Sequence, residues 1–274
     1  MTSKKEQTKP PTSSDSLIIG FGMNGLTWFQ LILTTSCISI CHVLNQIYRR
    51  NDLTIPFISL LFNHPVEHLV SSTLLTTTAF INIFTAFINY MQMSKRFPKS
   101  DKLLLMILVF RFLSGSTLIV SVNVPLQTDW NSISSVGIFS LDEFNHKITI
   151  FSRLHLLGLN SFFLSCAAFQ FLSQIFIYTQ EIYKIKGLKE KCILRFIYTI
   201  INIVSLANLK LVGALLVNGR PQNVEFFLNL AALFQHFSVI SIFLFLGTSL
   251  NFDNTVAIKI YDIKKNEVKK AKMD

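Results

Sequence analysis

Six long apolar stretches, separated by polar connections, organise this sequence. Each holds about 20 or more mostly apolar residues, enough for a helix to cross a hydrocarbon layer about 30 Å thick. Open sheet edges do not occur in lipid, and the stretches are too long for barrel strands, so helices are expected. We predict six transmembrane helices over these ranges: Leu17–Ile47, His68–Met93, Leu103–Val122, Ile148–Thr179, Cys192–Val217 and Phe226–Leu250.

The six stretches take up most of the 274 residues, which leaves no room for a separate soluble catalytic domain. We expect residues 1–16 to form a disordered polar tail, residues 17–250 an all-α bundle of six transmembrane helices, and residues 251–274 a basic tail. In the connection before the second stretch, residues 55–62 are apolar, and we expect them to dip into the membrane interface.

Positive charge alternates along the polar connections. Eighteen of the 25 basic residues lie in the two tails and in the connections after the second and fourth stretches, and we count Arg195 among them. Since basic residues accumulate on the cytoplasmic side of membrane proteins, both termini are predicted to be cytoplasmic. The net charge of +10 therefore does not indicate a nucleic-acid partner, because the basic residues are placed as in a membrane protein.

Several ionisable residues interrupt the apolar stretches or begin them. Such residues are costly in lipid, so each is a candidate functional residue. We hypothesise an outward-facing cationic pocket for an anionic lipid headgroup or phosphate, formed by Arg111, Arg153, His155 and Lys210, with Glu67 pairing one of them. In the alternative, Lys210 and Arg153 extend to the interface and His155 serves helix packing, whereas Arg111 lies too deep to reach water cheaply.

Sequence signals of known catalytic chemistry are missing. There is no Cys-x-x-Cys pair for zinc and no nucleophile elbow. His64, Glu67 and His68 lie close together, but Pro65 directs His64 away from helical geometry, so the three would not share one helix face. We therefore assign no catalytic residue, no metal and no cofactor.

Four short motifs resemble a known family of six-span membrane proteins. They are "PFIS" with "PVE" before the second stretch, "NYMQ" at its end, "RLH" with a later "FLSQ" in the fourth, and "LNFDN" after the sixth. The family includes the damage-regulated autophagy modulators, the Sfk proteins and a GPI-anchor remodelling factor. Here "LLFN" replaces the acidic and glycine residues of the family pattern at residues 60–63. The matching residues are Pro56, Ser59, Pro65, Glu67, His155, Gln174 and Asp253.

The resemblance implies an integral membrane protein of lysosome, Golgi or plasma membrane. It implies a multi-pass protein that binds or organises lipids, anionic or GPI-type, and regulates autophagy or membrane lipid asymmetry. No catalytic mechanism comes with it.

Two other functions stay open at this point. An enzyme or cofactor of GPI-anchor lipid remodelling would need Glu67 and His155 close together at the outer face as an acid–base pair. A divergent chemoreceptor would need a seventh span and an outside N-terminus, and the charge pattern opposes both.

Overall fold

The structure is a computed structural model that describes residues 16–48, 54–124, 150–218, 223–248 and 255–261. Helices account for most of these residues. They are α1 (Met23–Ile47), α2 (Ile58–Leu61), α3 (Pro65–Arg96), α4 (Asp101–Asn123), α5 (Ile150–Thr179), α6 (Lys189–Asn218) and α7 (Val224–Gly247). Single 3₁₀ turns at Pro98–Ser100 and Ile182–Lys184 lie in the two short connections.

All the described helices except α2 are long and apolar enough to span a membrane. This confirms the prediction of an all-α membrane protein with six transmembrane helices. The start of the first helix was predicted incorrectly, because α1 begins at Met23 and not at Leu17. The residues before it form a strand, β1 (Ser16–Gly22). Gly20 and Gly22 weaken helix formation there, and the β-branched pair Ile18–Ile19 favours an extended backbone.

Strand β1 pairs in antiparallel register with a strand near the other end of the chain, β2 (Thr255–Tyr261). Ser16 lies opposite Tyr261, and Gly22 lies opposite Thr255. This ribbon belongs to a compact unit separate from residues 24–251. The remaining predictions for the two tails, residues 1–15, 251–254 and 262–274, lie outside the described residues.

Within residues 24–251, two groups of helices pack closely along one another. Helix α4 lies between α3 and α5, and α6 packs along α7. Residues 97–100 join α3 to α4, and residues 180–188 join α5 to α6, so both connections lie at one end of the bundle. We call this the short-loop end. The opposite end, where α3 and α7 begin, is the long-loop end.

Glycine allows α4 and α5 to approach closely. A Cβ added at Gly158 would lie 3.1 Å from the backbone nitrogen of Ser121 and 3.2 Å from the carbonyl oxygen of Thr117. Small residues at such positions let membrane helices pack backbone against backbone. The α4–α5 pair is therefore a closely packed wall of the bundle.

Helix α2 folds back into the long-loop end of the bundle. Ile58, Leu60 and Leu61 are all buried. The backbone N–H of Ile58 donates to Gln235 Oε1 of α7 at 2.8 Å, and the N–H of Ile55 donates to Asn229 Oδ1, also at 2.8 Å. A single helical turn leaves most of its backbone groups unpaired, so α7 supplies the acceptors that burial demands.

Polar side chains also join the helices inside the bundle. Ser238 of α7 donates to Asn202 of α6 at 2.5 Å, and Asn202 donates in turn to Gln170 of α5 at 2.8 Å. Gln174 donates to Thr199 Oγ1 at 3.2 Å. On the other side of the bundle, Gln30 of α1 donates to the carbonyl of Thr78 on α3. These hydrogen bonds satisfy groups that would be costly to expose to lipid.

Candidate functional site

A cavity of about 80 Å³ lies in the short-loop half of the bundle. All six long helices contribute to its wall. Much of the wall is apolar, including Leu104, Ile107, Phe176 and Leu246, and two arginines, Arg111 and Arg195, provide its positive charge. The remaining polar residues of the wall are Thr27, Asn89, Tyr90 and Ser173.

Arg111 lies on α4, ten residues after its first residue, which is about 15 Å along the helix. Its side chain is only 8% exposed. The Nη2 group donates to Asn82 Oδ1 at 2.8 Å and to Thr85 Oγ1 at 3.1 Å. Asn82 and Thr85 are three residues apart on α3, so one face of that helix presents both acceptors.

Arg195 lies on α6, six residues after its first residue, and is 9% exposed. Its Nη1 group donates to the carbonyl oxygens of Phe245 and Thr248, both at 3.2 Å. These carbonyls belong to the C-terminus of α7, where helical partners are missing and the helix dipole is negative. The guanidinium carbon also lies 3.7 Å from the centre of the Phe245 ring, a close cation–π contact.

Both guanidinium groups lie in a cavity wall whose described residues include no acid. None of the described lining residues is Asp or Glu. The Nε atoms of both arginines are buried without a hydrogen-bond partner in the described part of the chain. Amide, hydroxyl and carbonyl oxygens stabilise these cations in part, but none of them carries a full negative charge. The cavity is therefore electropositive and keeps two buried N–H donors unused.

The long-loop half contains the other residues of the hypothesised pocket. His155 is 5% exposed and its Nδ1 donates to the carbonyl of Val124 at 2.8 Å. Glu67, in the first turn of α3, is 1% exposed. Arg153 is exposed near the start of α5. Lys210 is exposed on α6 and donates to Asn160 Oδ1 at 3.0 Å.

One protein family matches the chain over almost the same range as its helical domain. The sequence profile of the Frag1/DRAM/Sfk1/Cwh43P N-terminal domain matches residues 23–252, from the first residue of α1 to beyond the end of α7. The chain belongs to this family. No curated protein and no solved structure shows significant similarity to it. Membership in the Frag1 family agrees with the resemblance found in the short motifs and with an integral membrane location.

In this Frag1-family chain the predicted site residues separate into different regions. Arg111 lines the short-loop cavity, whereas His155 lines another cavity in the long-loop half. Arg153 and Lys210 line neither. Hydropathy places a residue along a helix but does not fix which way it faces, and the positively charged residues near the long-loop end in fact lie on exposed positions.

Arg195 is the functional candidate that sequence reasoning missed. It was counted among the basic residues of the connection after the fourth stretch, but the structure places it inside α6 and buries it. The signal that could have found it is local. Unlike Lys184, Lys186 and Lys189, Arg195 is flanked on both sides by apolar residues, "CIL" before it and "FIY" after it.

The family-pattern residues are placed as follows. Pro56 is buried ahead of α2, and Ser59 of α2 lines the cavity that contains His155. Pro65 is the first residue of α3, where the missing N–H of proline costs nothing. Asp253 lies outside the described residues. Among the residues that the structure describes, no group of three His, Cys, Asp or Glu could hold a metal ion.

Proposed function

We propose that this Frag1-family protein binds the anionic group of a membrane lipid in the short-loop cavity, between Arg111 and Arg195. The observation that carries the proposal is the pair of buried guanidinium groups with no acidic residue in the described cavity wall. A phosphate or carboxylate would supply the missing charge. Arginine suits this role because its planar group donates several hydrogen bonds to such anions at once.

The unused donors support the same ligand. Arg111 and Arg195 each keep a buried Nε–H without a partner in the described residues, and a buried donor left unpaired costs about 1–3 kcal/mol. An anion that accepts from both would recover this cost. The apolar part of the wall, with Ile107 and Phe176, suits the first methylene groups of an acyl chain.

The predicted topology is consistent with an anionic lipid. If both termini are cytoplasmic, the short-loop end faces the cytoplasmic leaflet. That leaflet carries the anionic lipids of the cell, and its negative surface potential attracts basic groups. The lysines of the 180–188 connection and the end of α3 would then lie near that surface, where each contributes about 1 kcal/mol to attraction.

More specific roles extend this proposal. Regulation of autophagy, maintenance of lipid asymmetry and a part in GPI-anchor remodelling are each possible uses of a bound lipid, in lysosome, Golgi or plasma membrane. They are supported only by the family. A GPI-type lipid would present phosphate to the arginines in the same way as any other anionic lipid. Arginine stays protonated at neutral pH and is rarely an acid or a base in catalysis. The two arginines therefore favour a site that binds a lipid over one that reacts with it.

The experiment is lipid mass spectrometry on protein purified in mild detergent and reconstituted in nanodiscs with phosphatidylserine or phosphatidylcholine. We expect the wild type to retain phosphatidylserine, and Arg111→Gln and Arg195→Gln each to bind it at least about tenfold more weakly, since a charged hydrogen bond contributes about 1.5–3 kcal/mol. Lys210→Gln is the matched control, because it removes an exposed charge that lines neither cavity. It should behave as the wild type.

Two further arms identify the ligand and its location. Competition by millimolar inorganic phosphate would show that a free anion suffices, whereas resistance would point to the whole lipid. Glu67→Gln tests the outward-facing pocket of the sequence hypothesis and should leave retention unchanged. Equal retention in the wild type and both arginine variants, each with a normal unfolding transition, would refute the proposal.

A further inference from the structure

A second cavity, of about 40 Å³, lies in the long-loop half of the bundle. Helices α1, α2, α3, α4, α5 and α7 all contribute to its wall, so it occupies the centre of the bundle. Its surface is almost entirely apolar. The residues that give this character include Ile38, Leu75, Leu118, Leu159, Phe163 and Val239.

His155 is the one titratable side chain in the described wall of this long-loop cavity. Its Nδ1 lies 2.8 Å from the carbonyl oxygen of Val124. A carbonyl can only accept, so Nδ1 must carry a proton. In the neutral ring Nε2 is then a hydrogen-bond acceptor. This Nε2 is buried without a hydrogen-bond partner among the described residues.

A buried acceptor such as this Nε2 is normally paired with a hydrogen-bond donor. Three of the other four polar side chains that line the cavity are already hydrogen-bonded to backbone groups: Thr34, Ser121 and Gln235. A buried water makes about three hydrogen bonds, and genuinely apolar cavities stay dry. The long-loop cavity offers little to a water beyond Nε2 itself, which favours a mostly apolar occupant with one donor group.

We infer that the long-loop cavity binds the hydroxyl-bearing end of an apolar molecule, with the hydroxyl donating to His155 Nε2. The aliphatic and aromatic wall would contact the first carbons next to the hydroxyl, and the histidine would fix their orientation. Helix α2 forms the wall on the side of the long-loop end, through Ile58 and Ser59. Its hydrogen bond to Gln235 keeps that wall in place. This site is separate from the arginine cavity and does not depend on the function proposed for it.

The test uses a photoactivatable long-chain alcohol, with a diazirine in the chain and an alkyne tag, on the full-length protein in nanodiscs. The matched probe is the same chain without its hydroxyl. We expect the alcohol to half-saturate labelling at a concentration about threefold to tenfold lower than the alkane, the range that one neutral hydrogen bond accounts for. Labelled peptides should come from α2, α5 and α7.

Variants test whether the preference for the alcohol over the alkane depends on His155 Nε2. His155→Phe keeps an aromatic ring but removes the acceptor, and should abolish the preference for the alcohol. His236→Phe is the matched control, because His236 is half-buried on α7, bonds the carbonyl of Ala232 and does not line the cavity. Val239→Phe places extra volume in the cavity and should reduce labelling by both probes, and it provides a readout if His155→Phe fails to fold.

Competitors distinguish the possible sources of the hydroxyl. Dodecanol represents a single-chain molecule and a diacylglycerol represents a two-chain lipid, and displacement by either supports the site. The inference is overturned if the alcohol and the alkane label equally in the wild type, if His155→Phe keeps the preference, or if Val239→Phe leaves labelling unchanged.

Discussion

The two cavities of this bundle differ in how their polar groups are satisfied. In the short-loop cavity, Arg111 and Arg195 bring two charges to a wall that is partly polar. In the long-loop cavity, His155 faces a wall that is almost wholly apolar. One set of helices thus provides an electropositive space at one end and a hydrocarbon-like space at the other. The difference arises from single side chains on α4, α5 and α6, and not from a change of fold.

The difference also shows in how each end is closed. At the short-loop end, Arg195 holds the C-terminus of α7 through its backbone carbonyls. At the long-loop end, Gln235 of the same helix holds the backbone N–H of α2. Helix α7 therefore takes part in both closures, as acceptor in each, and both can be tested by removing one side chain.

The largest effect is expected in a cysteine-labelling experiment, which determines which of the two cavities faces the cytoplasm. Lys186 is exposed in the short-loop connection, Thr54 is exposed at the long-loop end, and the four native cysteines are buried. In intact cells, a membrane-impermeant maleimide should label Thr54→Cys and leave Lys186→Cys unlabelled if the protein is at the cell surface. Permeabilised cells should show labelling of both.

The wild type, which should stay unlabelled in both conditions, is the control for that experiment. The reverse pattern, with Lys186→Cys labelled in intact cells, would place the arginine cavity on the outer side and contradict the predicted orientation. A protein confined to internal membranes would be studied in the same way on sealed vesicles.

A smaller effect is expected from Arg195→Met, which should lower the free energy of unfolding by about 2–4 kcal/mol. The change removes charged hydrogen bonds to two terminal carbonyls of α7 and the contact with the Phe245 ring. The measurement is thermal or detergent-induced unfolding of the purified protein.

Arg111→Met is the comparison for Arg195→Met and should cost less. Its guanidinium carbon lies 6.0 Å from the centre of the Phe169 ring, against 3.7 Å between Arg195 and the Phe245 ring, so the substitution removes a weaker cation–π contact. If Arg111→Met destabilised the protein more than Arg195→Met, the assignment of Arg195 as the residue that holds α7 would be wrong.

The smallest effect is expected from Gln235→Leu, at about 1–3 kcal/mol. The substitution keeps the approximate volume and leaves the buried N–H of Ile58 unpaired. Amide hydrogen exchange in residues 54–64 should accelerate along with the loss of stability. Asn229→Leu is the matched control on the same helix: it unpairs the N–H of Ile55, which is less buried, and should cost less. Equal exchange in wild type and Gln235→Leu would show that apolar packing alone holds α2.

The sequence predicted the six membrane helices because long apolar stretches leave a chain few alternatives in lipid. It also identified Arg111 as a deep, costly charge. It did not find Arg195. When the basic residues of each connection are counted together, a buried arginine is not distinguished from the surface lysines near it. The start of α1 was missed because apolarity alone cannot distinguish a strand rich in glycine and isoleucine from the first turn of a helix.

The grouping of the site residues could not be predicted in the same way. The outward-facing pocket assumed that residues at similar depth share a space, but contact also depends on rotation about each helix axis. Arg111 and Arg195 line one cavity because α4 and α6 both begin at the short-loop end and turn these positions inward. The pairing of β1 with β2 joins residues more than 230 positions apart, and no local pattern signals it.

The pairing of β1 with β2 limits how many times the chain can cross the membrane. Strands β1 and β2 can exchange hydrogen bonds only if residues 16–22 and 255–261 lie in the same compartment. The polypeptide between them must then cross the bilayer an even number of times, whichever face it starts from. Six crossings meet this condition and seven do not, so the ribbon gives a reason, independent of hydropathy and charge, against a receptor-like arrangement with its ends on opposite sides.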